Sequence, residues 1–166
     1  MADSQEEKLV NILKEKFEDQ LLQVEQLYDF LTITLKKDRI IEIIEFLYQN
    51  SETKFQFLTT LFAVHYPEQK AIAIVYQLHN LVSNDRVRLK IYLPEENPAV
   101  PTLTNVFASA NWMERETYDF FGVTFDGHPN LKRILNVDDM IIFPMRKEYP
   151  LEDQTREDKN DEMFGR

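Results

Sequence analysis

The chain has 166 residues, a formal charge of -10 and no cysteine. That length suits one domain, the missing thiols exclude disulfides, thiol catalysis and thiolate-held zinc or iron–sulfur clusters in this chain, and the charge disfavours binding nucleic acid or anionic membranes through clustered Lys and Arg. No apolar run reaches the roughly 18 residues of a membrane span, and the opening MADSQEEK is acidic where a signal peptide is basic and then apolar, so a soluble protein on the cytoplasmic side is expected, its membrane association made through a partner.

In chain order, Ser4 with Glu7 predicts a capping box, and Leu9, Val10, Ile12, Leu13 and Phe17 recur at helical spacing behind it. Leu31, Ile33 and Leu35 alternate with Thr32 and Thr34 as a strand, and Leu22, Val24 and Leu27 form its hairpin partner before a turn near Tyr28 and Asp29. Asp38 is the predicted cap of a second helix, in which Ile40 to Tyr48 is apolar at three- and four-residue steps and Glu42 and Glu45 face solvent. Three strands follow, Thr60 to Tyr66, Ala71 to Leu78 and Arg86 to Leu93, the last half exposed because Arg88 and Lys90 alternate with Val87, Leu89 and Ile91. Pro94, Pro98 and Pro101 interrupt regular pairing, and Thr104 to Ala108 reads as a short helical lead-in. Asn111 is the predicted N-cap of a third helix, with Glu114 closing a capping box and Gly122 ending it. The order predicts an α+β fold, a mixed sheet with helices packed on one face.

Residues 1–121 are thus expected to form the domain and 122–166 an extended segment. The segment carries prolines at 129, 144 and 150 and ends in EDQTREDKNDEMFGR, six acidic side chains against three basic, so residues from Glu152 onward are the expected loose part. Ordering such a chain costs roughly 1 to 2 kcal/mol of backbone entropy per residue. The apolar anchors scattered through it, Phe125, Leu131, Ile134, Leu135, Met140, Ile141, Ile142, Phe143, Tyr149 and Leu151, point to a segment that orders by wrapping another protein.

The candidate chemistry gathers between Asn111 and Leu135. Glu114 and Glu116 are two helical steps apart and point to opposite sides, so they cannot flank one scissile bond. Arg115 and Asp119 have the spacing of an ion pair, which has value mainly where it is buried; solvated helix charges are the alternative that composition favours. His128 in Gly127-His128-Pro129 reads as a structural histidine, because His65, His79 and His128 have no metal-ligand spacing. Three glycines write neither a dinucleotide fingerprint nor a P-loop, and no GxSxG occurs. Trp112, with Phe120 and Phe121, suits core or interface packing.

The run Glu114-Arg115-Glu116, Asp119-Phe120-Phe121-Gly122, Gly127-His128-Pro129 and Lys132-Arg133-Ile134-Leu135, with Ala110-Asn111-Trp112 before it and Arg146-Lys147-Glu148-Tyr149-Pro150-Leu151 after it, resembles the signature of the C subunit of the proton-pumping NADH-quinone oxidoreductase, respiratory complex I. The resemblance covers roughly residues 55 to 151. It implies a peripheral-arm subunit without a catalytic residue, metal or cofactor of its own, which packs against the D subunit near the B subunit, with FMN, iron–sulfur clusters and quinone in partner subunits. Trp112, Glu114, Arg115, Glu116, Asp119, His128, Lys132, Arg133, Arg146 and Lys147 are the interface residues it implies. It also implies a peripheral membrane protein on the cytoplasmic face of the cell membrane. A membrane-bound hydrogenase or ferredoxin-linked complex, which contains a similar subunit, is the alternative. Ile142-Phe143-Pro144-Met145-Arg146-Lys147-Glu148 stands where many members have Gly-His-Pro-Leu-Arg-Lys-Asp, so different local contacts are expected there.

Overall fold

The computed structural model describes residues 2–149; Leu151 and the stretch expected to be loose from Glu152 lie outside the described residues. The chain runs α1 (Ala2–Phe17), β1 (Leu21–Leu27), β2 (Phe30–Leu35), α2 (Ile40–Gln49), β3 (Phe57–Tyr66), β4 (Ala71–His79), β5 (Arg86–Pro94), β6 (Ala99–Pro101), α3 (Ala110–Phe121) and β7 (Thr124–Asp126). The five long strands form one sheet in the order β1-β2-β5-β4-β3, with β2 parallel to β5 and the other neighbours antiparallel. This is the predicted α+β fold on a mixed sheet.

The two-residue turn between β1 and β2 falls on Tyr28 and Asp29, both left-handed (φ 49° and 64°), which suits the twist of a tight hairpin. β1 is an edge strand, so its Leu22 and Val24 remain partly exposed rather than covered. β2 departs from the predicted alternation, because Thr32 and Thr34 are buried as well as Leu31, Ile33 and Leu35. Its interior position explains this: on its outer face it stands beside the long side chains Arg88 and Lys90 of β5. β5 itself alternates as expected, with Val87, Leu89, Ile91 and Leu93 buried.

One hydrophobic core holds the molecule together. Leu9, Leu13 and Phe17 of α1 and Ile40, Ile43, Ile44 and Leu47 of α2 pack with Ile33, Ile74, Leu89 and Ile91 of the sheet. By register the sheet residues of this cluster all lie on one face, so the helices cover one side of the sheet.

The predicted helix caps do not form. α1 already includes Ala2 and Asp3, so Ser4 is inside it. α2 has Arg39 rather than Asp38 at its N-cap, without a side-chain cap, and Arg39 instead makes two hydrogen bonds to Glu42. α3 begins after Ser109, which places Asn111 inside the helix and frees Glu114 for another task. Thr104 to Ala108 form turns rather than a helical lead-in, closed by bonds from the Val106 and Phe107 amides to the Leu103 carbonyl. β6 and β7 are absent from the sequence prediction. They pair in parallel, Val100 opposite Phe125, and bury Val100, Val123 and Phe125, so the folded unit continues past residue 121, the predicted domain limit.

Candidate functional site: the third helix and the segment docked on it

α3 organises the residues that the sequence marks. It buries two sides, Ala110, Glu114 and Thr117 on one and Asp119, about 180° around the axis from Ala110, on the other, while Trp112 is 61% exposed and Glu116 faces solvent. The opposite orientation of the two glutamates follows from the helical angle between them.

The Glu114 carboxylate reaches the strand-to-helix connection rather than the start of its own helix. It accepts the Leu103 amide at 2.6 Å and the Thr102 hydroxyl at 2.5 Å. Burial pushes its carboxyl up to about 7, and the two hydrogen bonds, which favour the ionised form, offset only part of that rise. The Tyr76 hydroxyl of β4 is buried without a hydrogen-bond partner, and burial together with the Glu114 charge drives the phenol far above its ordinary value. The Glu114 carboxylate thus fastens the loop at Thr102 and Leu103 to α3.

Asp119 is the second hub. One carboxylate oxygen accepts the backbone amides of Ile134, Leu135 and Asn136 at 3.0, 2.8 and 2.9 Å. The other accepts Arg133 Nη1 at 2.7 Å and the Asn136 side-chain amide at 3.0 Å. Burial by itself would raise the Asp119 carboxyl, but the Asn136 and Leu135 amides, the Asn136 side chain and the Arg133 guanidinium hold it well below the usual carboxylate range. The predicted Arg115–Asp119 pair is replaced: Asp119 turns to Arg133, and Arg115 donates to the Lys132 and Arg133 carbonyls at 3.1 and 3.2 Å while lying 5.2 Å from the Trp112 ring centre. Both arginines thus tie α3 to residues 132–136.

The C-terminal end of α3 completes the dock. Gly122 takes the left-handed conformation (φ 74°) that ends the helix, as its position predicts. The last helical carbonyls lack intrahelical donors, and the segment supplies them. Arg133 Nη1 donates to the Asp119 carbonyl, the Met145 amide to Phe120 and Arg146 Nε to Phe121, at 2.9, 3.1 and 2.8 Å. The two arginines are cationic side chains at the negative end of the helix dipole. Between them lies the Phe143 ring, 5.1 Å from each guanidinium and edge-on to Tyr118. A Cβ added to Gly122 would meet this ring at 2.5 Å, so Phe143 packs directly on the glycine.

Two histidines hold the ends of the segment. His128 accepts the Asn130 amide at Nδ1, which leaves Nε2–H to donate to the Asn111 carbonyl at 3.1 Å. This is the structural histidine the sequence predicts. His65, buried on β3, accepts the Lys147 amide at Nδ1 (2.9 Å) and donates from Nε2 to Glu95 (2.9 Å). Thr102, Asn136 and His65 carry no motif signal in this role, because Glu114, Asp119 and Lys147 lie 12, 17 and 82 residues away, and Phe143 carries none because it meets Tyr118 and Gly122 across an irregular stretch.

Of the ten residues marked in the sequence, Glu114 and Asp119 are therefore spent inside the chain, as are the guanidiniums of Arg115, Arg133 and Arg146 and the ring of His128. Trp112, Glu116, Lys132 and Lys147 keep exposed side chains. The apolar anchors divide in the same way. Phe125 enters the core, and Leu131, Ile134, Met140, Ile142 and Phe143 are partly covered by their own chain. Leu135, Ile141 and Tyr149 are 64%, 93% and 36% exposed, and Val137, Met145 and Trp112, at 63%, 51% and 61%, are further exposed apolar side chains of α3 and its docked segment.

Among the described residues no helix is long and apolar enough to cross a membrane. Residues 33–155 match the model of the family described as "Respiratory-chain NADH dehydrogenase, 30 Kd subunit". The NADH-quinone oxidoreductase C subunit of Geobacter metallireducens is 39% identical over 147 residues, 87% of this chain and 90% of that protein. The corresponding C subunit of Trichlorobacter lovleyi is 41% identical over 159 residues, 95% and 96% of the two chains. Among solved structures, a trypsin-resistant fragment of Nqo5 superposes with a TM-score of 0.63 at 31% identity, covering 75% of this chain and 99% of the fragment. A chain of an archaeal membrane-bound sulfane sulfur reductase shares the fold, with a TM-score of 0.75 at 23% identity over 87% of this chain and 85% of that one. Matched by the family model over residues 33–155 and by these two C subunits over 87% and 95% of its length, the chain belongs to the family of NADH-quinone oxidoreductase C subunits.

Proposed function

We propose that this chain is a non-redox structural subunit of the peripheral arm of an NADH-quinone oxidoreductase, and that the surface of α3 and residues 128–149 packs against the D subunit, close to the B subunit. The observation that carries this reading is the exposure of apolar side chains there: Trp112, Leu135, Val137, Ile141 and Met145 stand on a backbone that hydrogen bonds hold in place. A preordered surface loses little conformational entropy on association, and large apolar side chains on it contribute most when a partner excludes water from them. The buried charges serve by fixing the backbone that presents this surface. FMN, iron–sulfur clusters and quinone belong, in this reading, to the partner subunits, and the chain attaches to the cytoplasmic face of the membrane through them.

The test is affinity purification of the tagged chain from membranes with mass spectrometry of what accompanies it. The D and B subunits together with flavin-containing subunits are the expected result. A nickel–iron hydrogenase large subunit in their place would move the chain to the alternative assembly. Turnover of NADH and quinone by the purified chain alone would overturn the structural role.

A further inference from the structure

The side of the sheet away from the helices carries a row of cations among aromatic rings. Register puts Arg88 beside Thr32 and Gln77, Lys90 beside Thr34 and Val75, and Tyr92 beside Ala73, and Val75 in turn faces Phe62 of β3. This is the side away from the helices, since the buried Ala73 and Val75 take no part in the core cluster. Phe62, midway along the edge strand β3, is 38% exposed, and Leu27 and Phe57 at other margins of the face are 38% and 44% exposed. An open sheet face of this kind ordinarily carries short polar side chains.

Its charge is opposite to that of the whole chain. Arg86, Arg88 and Lys90 lie in a row along β5 in a chain of net charge -10, and none of them makes a salt bridge among the described residues. The acid that register brings to the same face, Glu25, is separated from Arg88 by the full width of β2 and is engaged by the Gln23 amide. Two of the three rest on aromatic rings instead: Arg88 lies 4.7 Å from the centre of Phe30, and Lys90 lies 4.9 and 4.7 Å from Tyr66 and Tyr92 and donates to the Tyr66 hydroxyl at 3.3 Å. Arg88 Nε is buried without a hydrogen-bond acceptor. The rings hold these two cations in place, and no carboxylate among the described residues pairs with them.

We propose that this face is a second docking surface, and that its occupant is another protein of the same assembly, presenting carboxylates to Arg86, Arg88 and Lys90 on the central strand and an apolar side chain that covers Phe62 on the edge strand. Arginine and aromatic side chains, which this face combines, are enriched at protein interfaces. Three cations are fewer than the four to eight that a lipid-binding cluster uses, and the acidic remainder of the chain repels an anionic bilayer. The inference rests on assembly into a complex but not on which face meets the D subunit.

The experiment compares the isolated chain with the complex purified through a tag on it. Hydroxyl-radical labelling is read at Phe62, Tyr66 and Tyr92 for this face and at Trp112 for the α3 face. Carbodiimide cross-linking, which joins a lysine amine to a neighbouring carboxylate as an amide, is read at Lys90. The proposal expects labelling of Phe62, Tyr66 and Tyr92 to slow strongly on assembly. It also expects Lys90 to link to an Asp or Glu of another subunit, a link that Lys90→Arg abolishes because a guanidinium keeps the charge but forms no such amide. Arg88→Glu is expected to lower recovery of the complex about tenfold, the size of a modest interface hot spot, with the melting temperature of the isolated chain kept within a degree or two. Unchanged labelling at Phe62 in the complex, with cross-links from Lys90 confined to its own chain, overturns the proposal. Protection only after addition of vesicles rich in phosphatidylserine overturns the protein partner in favour of a membrane. Protection of Trp112 without protection of Phe62 sinks this inference and leaves the first interface standing.

Discussion

Glu114 shows how one buried side chain sets a pH dependence. Its carboxyl is raised from 4.5 to about 7, first by burial, so the folded state holds a proton that the unfolded chain releases. Proton linkage then makes stability fall as pH rises from about 4.5 to about 7, by on the order of 3 kcal/mol, and level off above that window. Glu114→Gln keeps a neutral side chain that can bond to Thr102 and Leu103, and urea melts of this variant between pH 5 and 7 are expected to lose most of that slope. Asp119 works in the opposite sense. Its depressed carboxyl contributes stability that is present above the unfolded pKa near 3.8 and is lost as pH falls below it. Tyr76 offers a simpler case: its buried hydroxyl has no partner, so Tyr76→Phe removes a desolvated polar atom without removing a hydrogen bond. That variant is expected to melt at the same temperature as the parent or up to a few degrees higher, equivalent to at most about 1 kcal/mol.

α3 and residues 128–149 behave as one element made of two. The connection is electrostatic and directional: Asp119 collects three consecutive backbone amides, and Arg133 and Arg146 cover the helix carbonyls that no intrahelical donor reaches. Arg133→Ala removes the ion pair and leaves a buried carboxylate with amides alone, a change expected to cost about 3 kcal/mol. Hydrogen exchange should report it as lost protection at the Ile134, Leu135 and Asn136 amides, while amides of β4 and β5 stay protected. Gly122→Ala strikes the same junction sterically, because its left-handed backbone disfavours a side chain and the added methyl would overlap Phe143. It should lower the melting temperature and release Phe143 from Tyr118, visible as a changed aromatic signal in near-ultraviolet circular dichroism. The sequence points to Gly122 through its place after the last apolar helical residue. It does not point to Phe143, since that contact is made across an irregular stretch with no periodicity to reveal it.

At the scale of the whole molecule, hydrophobic periodicity determined the first two helices and the five long strands, Gly122 marked the end of the third helix, the turn at Tyr28 and Asp29 was legible between two strands, and the order of elements put the helices on one side of the sheet. Those features follow from local spacing and from turn chemistry within a few residues. The motif between Glu114 and Leu135 likewise made the family legible and marked Glu114, Asp119, His128 and Arg133 as residues with a task. Which task each performs was decided by the tertiary structure. Glu114 binds a loop more than ten residues earlier instead of capping its own helix, and Asp119 prefers Arg133 to Arg115, four positions away, because the segment that carries Arg133 also brings three amides to the same carboxylate. The short parallel pair β6 and β7 was beyond sequence reading for a similar reason, as strands of three residues carry no period and their partners lie on the far side of a helix. Only the assembled fold shows that Leu135, Val137, Ile141 and Met145 face outward while Leu131 and Phe143 turn back, since burial of an apolar side chain in an irregular segment depends on where the chain finds donors for its backbone.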